Sequence, residues 1–147
     1  MKRHPSLAHL SRDHHGALLL ARLLQNDAPP YKGLPTDLLG KAAYAIKFYN
    51  DELIKHFESE EIALKLVTGI DNQLDKLIAE IFWEHQQLHL SFKSIDQHTN
   101  LPEDLDALGK ALELHVRKEE RQLFPMIENT CSDVLMAAIQ LSLSPHD

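Results

Sequence analysis

The sequence predicts an all-α protein, an antiparallel up-down-up-down four-helix bundle with a short C-terminal fifth helix. Three observations carry this. Gly and Pro are few (5 and 7 of 147 residues), and the breakers collect in "NDAPPYKGLPT" (26–36), "VTGID" (67–71) and "TNLPED" (99–104), leaving long stretches that read as helices. Within each stretch apolar or histidine residues recur at a 3,4 spacing, the signature of a helix buried along one stripe. Connections of a few residues between long neighbours imply antiparallel packing.

The first helix carries the stripe Leu7, Leu10, His14, Ala17, Ala21 and Leu24. Thr36 is the expected N-cap of the second, whose stripe is Ala42, Ile46, Tyr49, Leu53, His56, Glu60, Ala63 and Val67. Asp71 is the expected cap of the third, with Leu74, Ile78, Ile81, His85, Leu88, His89, Phe92 and Ile95 inward. Pro102 suits the first turn of the fourth, which reads Leu105, Leu108, Leu112, His115, Glu119, Gln122 and Met126. A fifth helix from Ser132 to about Leu143 is expected to cover one end.

With 44% hydrophobic and 25% charged residues, the chain reads as one domain over residues 1–147 with room for a core. A formal charge of −7 argues against nucleic acid or an anionic membrane as partner, because those surfaces are negative themselves. No run approaches the roughly 20 apolar residues of a membrane span, and "MKRHPSLAHLSRDHH" lacks the apolar core of a signal peptide. Cys131 is the one cysteine, which rules out an intrachain disulfide or a thiolate metal cluster and fits a reducing cytoplasm.

Ten histidines is the unusual count. "HFESEE" at 56–61 returns as "HVRKEE" at 115–120, and each of the four stripes has a histidine where a bundle core would have Leu or Ile. Burying an unpaired carboxylate costs several kcal/mol even after relaxation. Lys and Arg fall on the flanks, so internal salt bridges are a poor compensation, whereas cations bound by imidazole and carboxylate are a good one, with iron, manganese and zinc the fitting metals. Residues i and i+4 share a helical face, so His56 with Glu60, His85 with His89, and His115 with Glu119 each present two donors, and His14 adds a seventh.

Seven donors are too many for one ion and suit two. Two six-coordinate ions have about twelve positions; five imidazoles, two bridging carboxylates and a bridging oxo or hydroxo group leave one open for a small molecule such as dioxygen. His9 and Asp13 share the i,i+4 spacing but lie off the stripe and read as surface, as do His4, His98 and His146. His15 reads as rim, and Glu61 and Glu120 are offset from the stripe, Glu120 by so little that a slight rotation of the last helix would bring it in.

"DHH", "HFESEE", "EHQQLH" and "HVRKEERQLFP" together resemble the hemerythrin family, in particular the bacterial single-domain cation-binding proteins with His-His-Glu motifs, from about Leu7 to Ile127. The resemblance implies a four-helix bundle around a non-haem di-iron centre that binds dioxygen for storage, delivery or sensing, and it points to the same His14, His56, Glu60, His85, His89, His115 and Glu119. The animal oxygen carriers place an aspartate five residues after the last histidine, the position of Glu120 here. The iron-centre repair branch carries a cysteine-containing segment that nothing before Leu7 resembles. Turnover of peroxide or nitric oxide, iron-centre repair or iron handling, and a regulatory role exerted alone or as a homodimer are the competing functions. No acidic residue stands three positions before any histidine, which disfavours the ferritin-like Glu-x-x-His oxidases.

Overall fold

His4 and Pro5 start the first helix: the His4 ring nitrogen accepts from the Ser6 amide, and Pro5, with φ preset and no amide proton to lose, opens α1 (Pro5–Leu23). This is the computed structural model of the chain, and it describes residues 3–97 and 100–143; His98 and His146 lie outside them. The second rod is α2 (Leu38–Phe48), a π-turn (Tyr49–Leu53) and α3 (Ile54–Leu66) run together. Its cap is Asp37, whose carboxylate accepts from the Gly40 amide, and not Thr36: the helix begins one residue later than the breaker pattern suggests.

Asp71 caps α4 (Asn72–Lys93) as expected, accepting from the Leu74 amide. Gly69 makes the preceding turn with φ of 88°, a left-handed conformation that a Cβ would strain. After a 3₁₀ turn (Ile95–Gln97), Pro102 lies in the first turn of α5 (Leu101–Lys118), which continues through a second π-turn (Glu119–Leu123) into α6 (Phe124–Thr130). α7 (Asp133–Leu143) is the short fifth rod. The described residues contain no strand.

The core is split. Ala17, Leu53, Phe57, Leu88, Leu112 and Val116 belong to one apolar cluster, while Leu10, Ala63, Ile81, Leu123 and Phe124 belong to another, closed by Met136, Ile139 and Leu143 of α7. Chain direction follows from this division. α1 and α4 run from the second cluster toward the first and the other two rods run back, which is the up-down-up-down arrangement with α7 covering one end.

Between the halves lies a belt of buried polar residues: His14, His56, Glu60, His85, His115 and Glu119. The fourth stripe changes phase there. Leu123 and Ile127 are buried in place of the expected Gln122 and Met126, because the π-turn carries one more residue than an α-turn and rotates everything after Glu119. Gly109 lets α5 approach α1 closely: a Cβ there would stand 2.5 Å from the Ala21 carbonyl oxygen.

Candidate metal centre

Each of the four rods brings one imidazole to the belt, from His14 on α1, His56 on α3, His85 on α4 and His115 on α5. Two carboxylates lie among them. Glu60 Oε1 is 2.8 Å from His85 Nε2, and its Oε2 is 3.3 Å from His56 Nε2 and 3.9 Å from His14 Nε2. Glu119 mirrors this: Oε1 is 3.0 Å from His14 Nε2, and Oε2 is 3.3 Å from His115 Nε2 and 3.7 Å from His85 Nε2. Both glutamates are fully buried, with no accessible surface.

The four Nε2 atoms and all four oxygens of Glu60 and Glu119 are buried without a hydrogen-bond partner. Each unmet buried polar group costs about 1–3 kcal/mol, so eight in one layer call for something between them. The donors sort into two sets: His14, His56, Glu60 and Glu119 in one, His85, His115, Glu60 and Glu119 in the other, with donor atoms within 4.8 Å of one another. Each glutamate turns one oxygen toward each pair of histidines, the disposition of a bridge.

The outward nitrogens explain why the Nε2 atoms point inward. His14 Nδ1 is 2.6 Å from Glu120 Oε2, His56 Nδ1 3.0 Å from Asp13 Oδ2, His85 Nδ1 2.8 Å from Glu61 Oε2, and His115 Nδ1 2.7 Å from Glu84 Oε1. Donating Nδ1–H to a carboxylate fixes ring orientation and tautomer and raises the basicity of Nε2. The pattern has an internal two-fold logic. In each half an acid-His dipeptide (Asp13–His14, Glu84–His85) lends its acid to the histidine of its own HxxxEE motif. The second glutamate of each motif, Glu61 or Glu120, supports the dipeptide histidine of the other half.

Charge is balanced by these neighbours. Burial disfavours a cation at every one of the four imidazoles, yet the inner and outer carboxylates outweigh it: the pKa of His14 is pushed up to about 10, of His56 to about 9, of His85 to about 11 and of His115 to about 9. Burial likewise opposes ionisation of Glu119, and His115 and His14 overcome it, holding the carboxyl well below the usual range. The outer acids are themselves tethered: Glu84 by Lys118 at 2.8 Å, Glu120 by the Ser11 hydroxyl at 2.6 Å and Arg3 at 3.2 Å. Phe124 stacks on His14 and Phe57 on His85, with centroids 5.7 and 4.4 Å apart.

Residues 6–127 match the model of the hemerythrin HHE cation-binding domain. The chain belongs to the hemerythrin HHE family. No curated protein and no solved structure gives a significant match. Within this hemerythrin domain, six of the seven residues expected to act as donors meet in the belt, and His89 stands outside both sets. Tyr49 explains its position: the phenol and His89 Nδ1 are 2.5 Å apart, and the half-buried ring packs edge-on against Phe57. Glu119 faces inward and Glu120 takes the supporting place behind His14, so the inner carboxylate of the last motif is the one at +4.

Sequence reasoning missed the supporting acids of the hemerythrin centre. Asp13 reads as a surface partner of His9, and indeed lies 3.9 Å from it, but the same carboxylate holds His56. Glu84 had no signal beyond its place before His85. Four imidazoles and two carboxylates form a donor set for borderline divalent ions such as iron, manganese or zinc, and the orphaned atoms show that the residues present fit such ions. No helix among the described residues is long and apolar enough to cross a membrane.

Proposed function

We propose that the belt holds two iron ions, one on His14 and His56 and the other on His85 and His115, with Glu60 and Glu119 bridging them, and that the pair binds dioxygen for storage, delivery or sensing. The observation that carries this reading is the sorting of eight buried, unpartnered donor atoms into two sets of four that share both glutamates. Four protein donors of about six would leave each ion room for a small ligand. A ferrous pair held by these residues would supply two electrons and a free position for dioxygen.

The chain's own residues do the rest. Asp13, Glu61, Glu84 and Glu120 keep the imidazoles aimed inward. Phe57 and Phe124 wall the site, and burial keeps bulk water from it, so that a bound small molecule meets a fixed, dry environment. Tyr49 holds His89 clear of the belt.

The test is anaerobic loading with ferrous iron, elemental analysis, and a visible spectrum before air, after air and after evacuation. Two irons per chain and an absorption band that appears with oxygen and fades under vacuum are expected. Oxidation without such a band overturns reversible binding and favours turnover of peroxide or nitric oxide, which steady-state consumption then measures. Zinc or manganese would fit the same donors, and isolation of the protein from iron-replete cells with either metal bound and no iron would overturn the iron assignment.

A further inference from the structure

The groove between α4 and α5 lies outside the belt yet reaches one of its members. It has a volume of about 680 Å³ and is lined by Trp83, Leu114, Arg117, Lys118 and Arg121, with His115 also on its wall. That is the size of a small-molecule site. Trp83 is the one tryptophan of the chain and is 62% exposed, and Leu114 is 72% exposed. A large aromatic and a leucine left in water on adjacent helices provide a flat apolar seat.

The charge on this seat is opposite to that of the molecule. Three cations line the groove against one acid, Glu84, in a chain of formal charge −7. Glu84 is already engaged by His115 and Lys118, and Lys118 also pairs at 2.8 Å with Glu80, which leaves Arg117 and Arg121 as the cations open to a ligand. Arg117 makes only a peripheral pair with Glu113 at 3.7 Å, and Arg121 is exposed. The groove thus presents an aromatic face beside guanidinium groups suited to an anionic end, phosphate above all. Its position adds a second requirement. An occupant is separated from the inner donors by the imidazole of His115, whose Nε2 belongs to the belt.

We propose that this groove binds an anionic, planar aromatic reductant of the reduced flavin mononucleotide class, with its ring on Trp83 and its phosphate on Arg117 and Arg121, and that electrons pass from it to the metal pair through His115. The binding stands on the groove alone; the electron step rests on the di-iron reading. In that step the dihydroflavin loses the protons of two N–H bonds to solvent and gives up two electrons. Each of two ferric ions takes one, and oxidised flavin leaves. A flavin suits two one-electron acceptors because it releases its electrons singly, which a hydride donor does not.

The test begins with the metal-free full chain titrated with oxidised flavin mononucleotide while the emission of Trp83, the one tryptophan of the sequence, is recorded; because energy transfer to a flavin bound elsewhere would also quench it, the charge variant below assigns the signal to this groove. Saturable quenching is expected, weakened about tenfold or more for riboflavin, for the Arg117→Gln/Arg121→Gln double variant, and in high salt, as loss of charge-assisted contacts requires. The double substitution is at the surface, and circular dichroism checks its fold. Absence of saturable quenching, or equal affinity for riboflavin and the phosphorylated form, overturns the site. With iron loaded and air excluded, dihydroflavin mononucleotide is then expected to bleach the ferric absorption about tenfold faster in the wild type than in the double variant, while uncharged hydroquinone bleaches both at one rate. Equal rates with the flavin overturn the electron route, and quenching in the metal-free chain keeps that failure separate from any failure of the iron reading.

Discussion

Glu120 Oε2 stands 2.6 Å from His14 Nδ1, so the orientation of an imidazole on the first helix is set by a carboxylate 106 positions away on the fourth rod. Replacing Glu120 by Gln keeps the shape but weakens the acceptor. Partners of this kind are worth about 10–100-fold in metal affinity, so E120Q is expected to bind one of two ions that much more weakly with little change in the metal-free fold. Competitive chelator titration measures it, and the same loss is expected for E61Q, which supports His85 in the other set.

His85 and His89 are one turn apart and separate cleanly. His85→Ala removes an Nε2 from the belt and is expected to reduce binding toward one ion per chain, whereas His89→Ala is expected to retain two. Elemental analysis after gel filtration decides it. Loss of an ion in the His89 variant would return that residue to the donor set.

In the metal-free chain the four belt imidazoles have pKa values raised to about 9 to 11 by the carboxylates around them. A histidine whose folded value lies above its unfolded value near 6.5 contributes stability in full below that pH and loses it as pH rises through the folded value. Stability of the metal-free form is therefore expected to fall between about pH 6.5 and 11 by chemical denaturation. Glu119, held low, works in the opposite sense, its contribution present above about pH 4.3 and lost toward stronger acid. Metal uptake displaces the imidazole protons, so proton release on binding, read by calorimetry in buffers of different ionisation enthalpy, is expected as well.

Gly109→Ala tests the contact of the first and fourth rods. Its new Cβ would meet the Ala21 carbonyl oxygen at 2.5 Å and Leu24 Cβ at 3.1 Å. Forcing backbone apart there is expected to cost about 1–3 kcal/mol, the usual range for overpacking, against the small gain that Gly→Ala brings in an open helix. Urea midpoints of the two metal-free proteins measure the difference.

Much of this architecture is legible in the chain, for reasons that differ by element. His14, His56, His85 and His115 announce themselves because imidazoles in phase with leucines contradict a bundle core, and Glu60 and Glu119 follow at i+4. The π-turns leave no periodic trace, since one extra residue per turn looks like a lapse in the stripe. That is why Gln122 and Met126 were expected where Leu123 and Ile127 are buried. Asp13, Glu61, Glu84 and Glu120 are half-exposed acids on polar faces, indistinguishable by spacing from solvated ones. His89 has the right phase, and only the tertiary contact with Tyr49 reveals its different occupation.

The split core carries one more consequence. Leu10 and Ile81 pack on one side of the belt, Leu88 and Leu112 on the other, so without metal the molecule has a fault plane across its waist, a layer of polar atoms that lack hydrogen-bond partners. Filling that plane with metal rivets the two halves into one cooperative unit, while emptying it leaves each half to loosen at its own pace. Amides next to the seam would then exchange with deuterium well before those deep in either half.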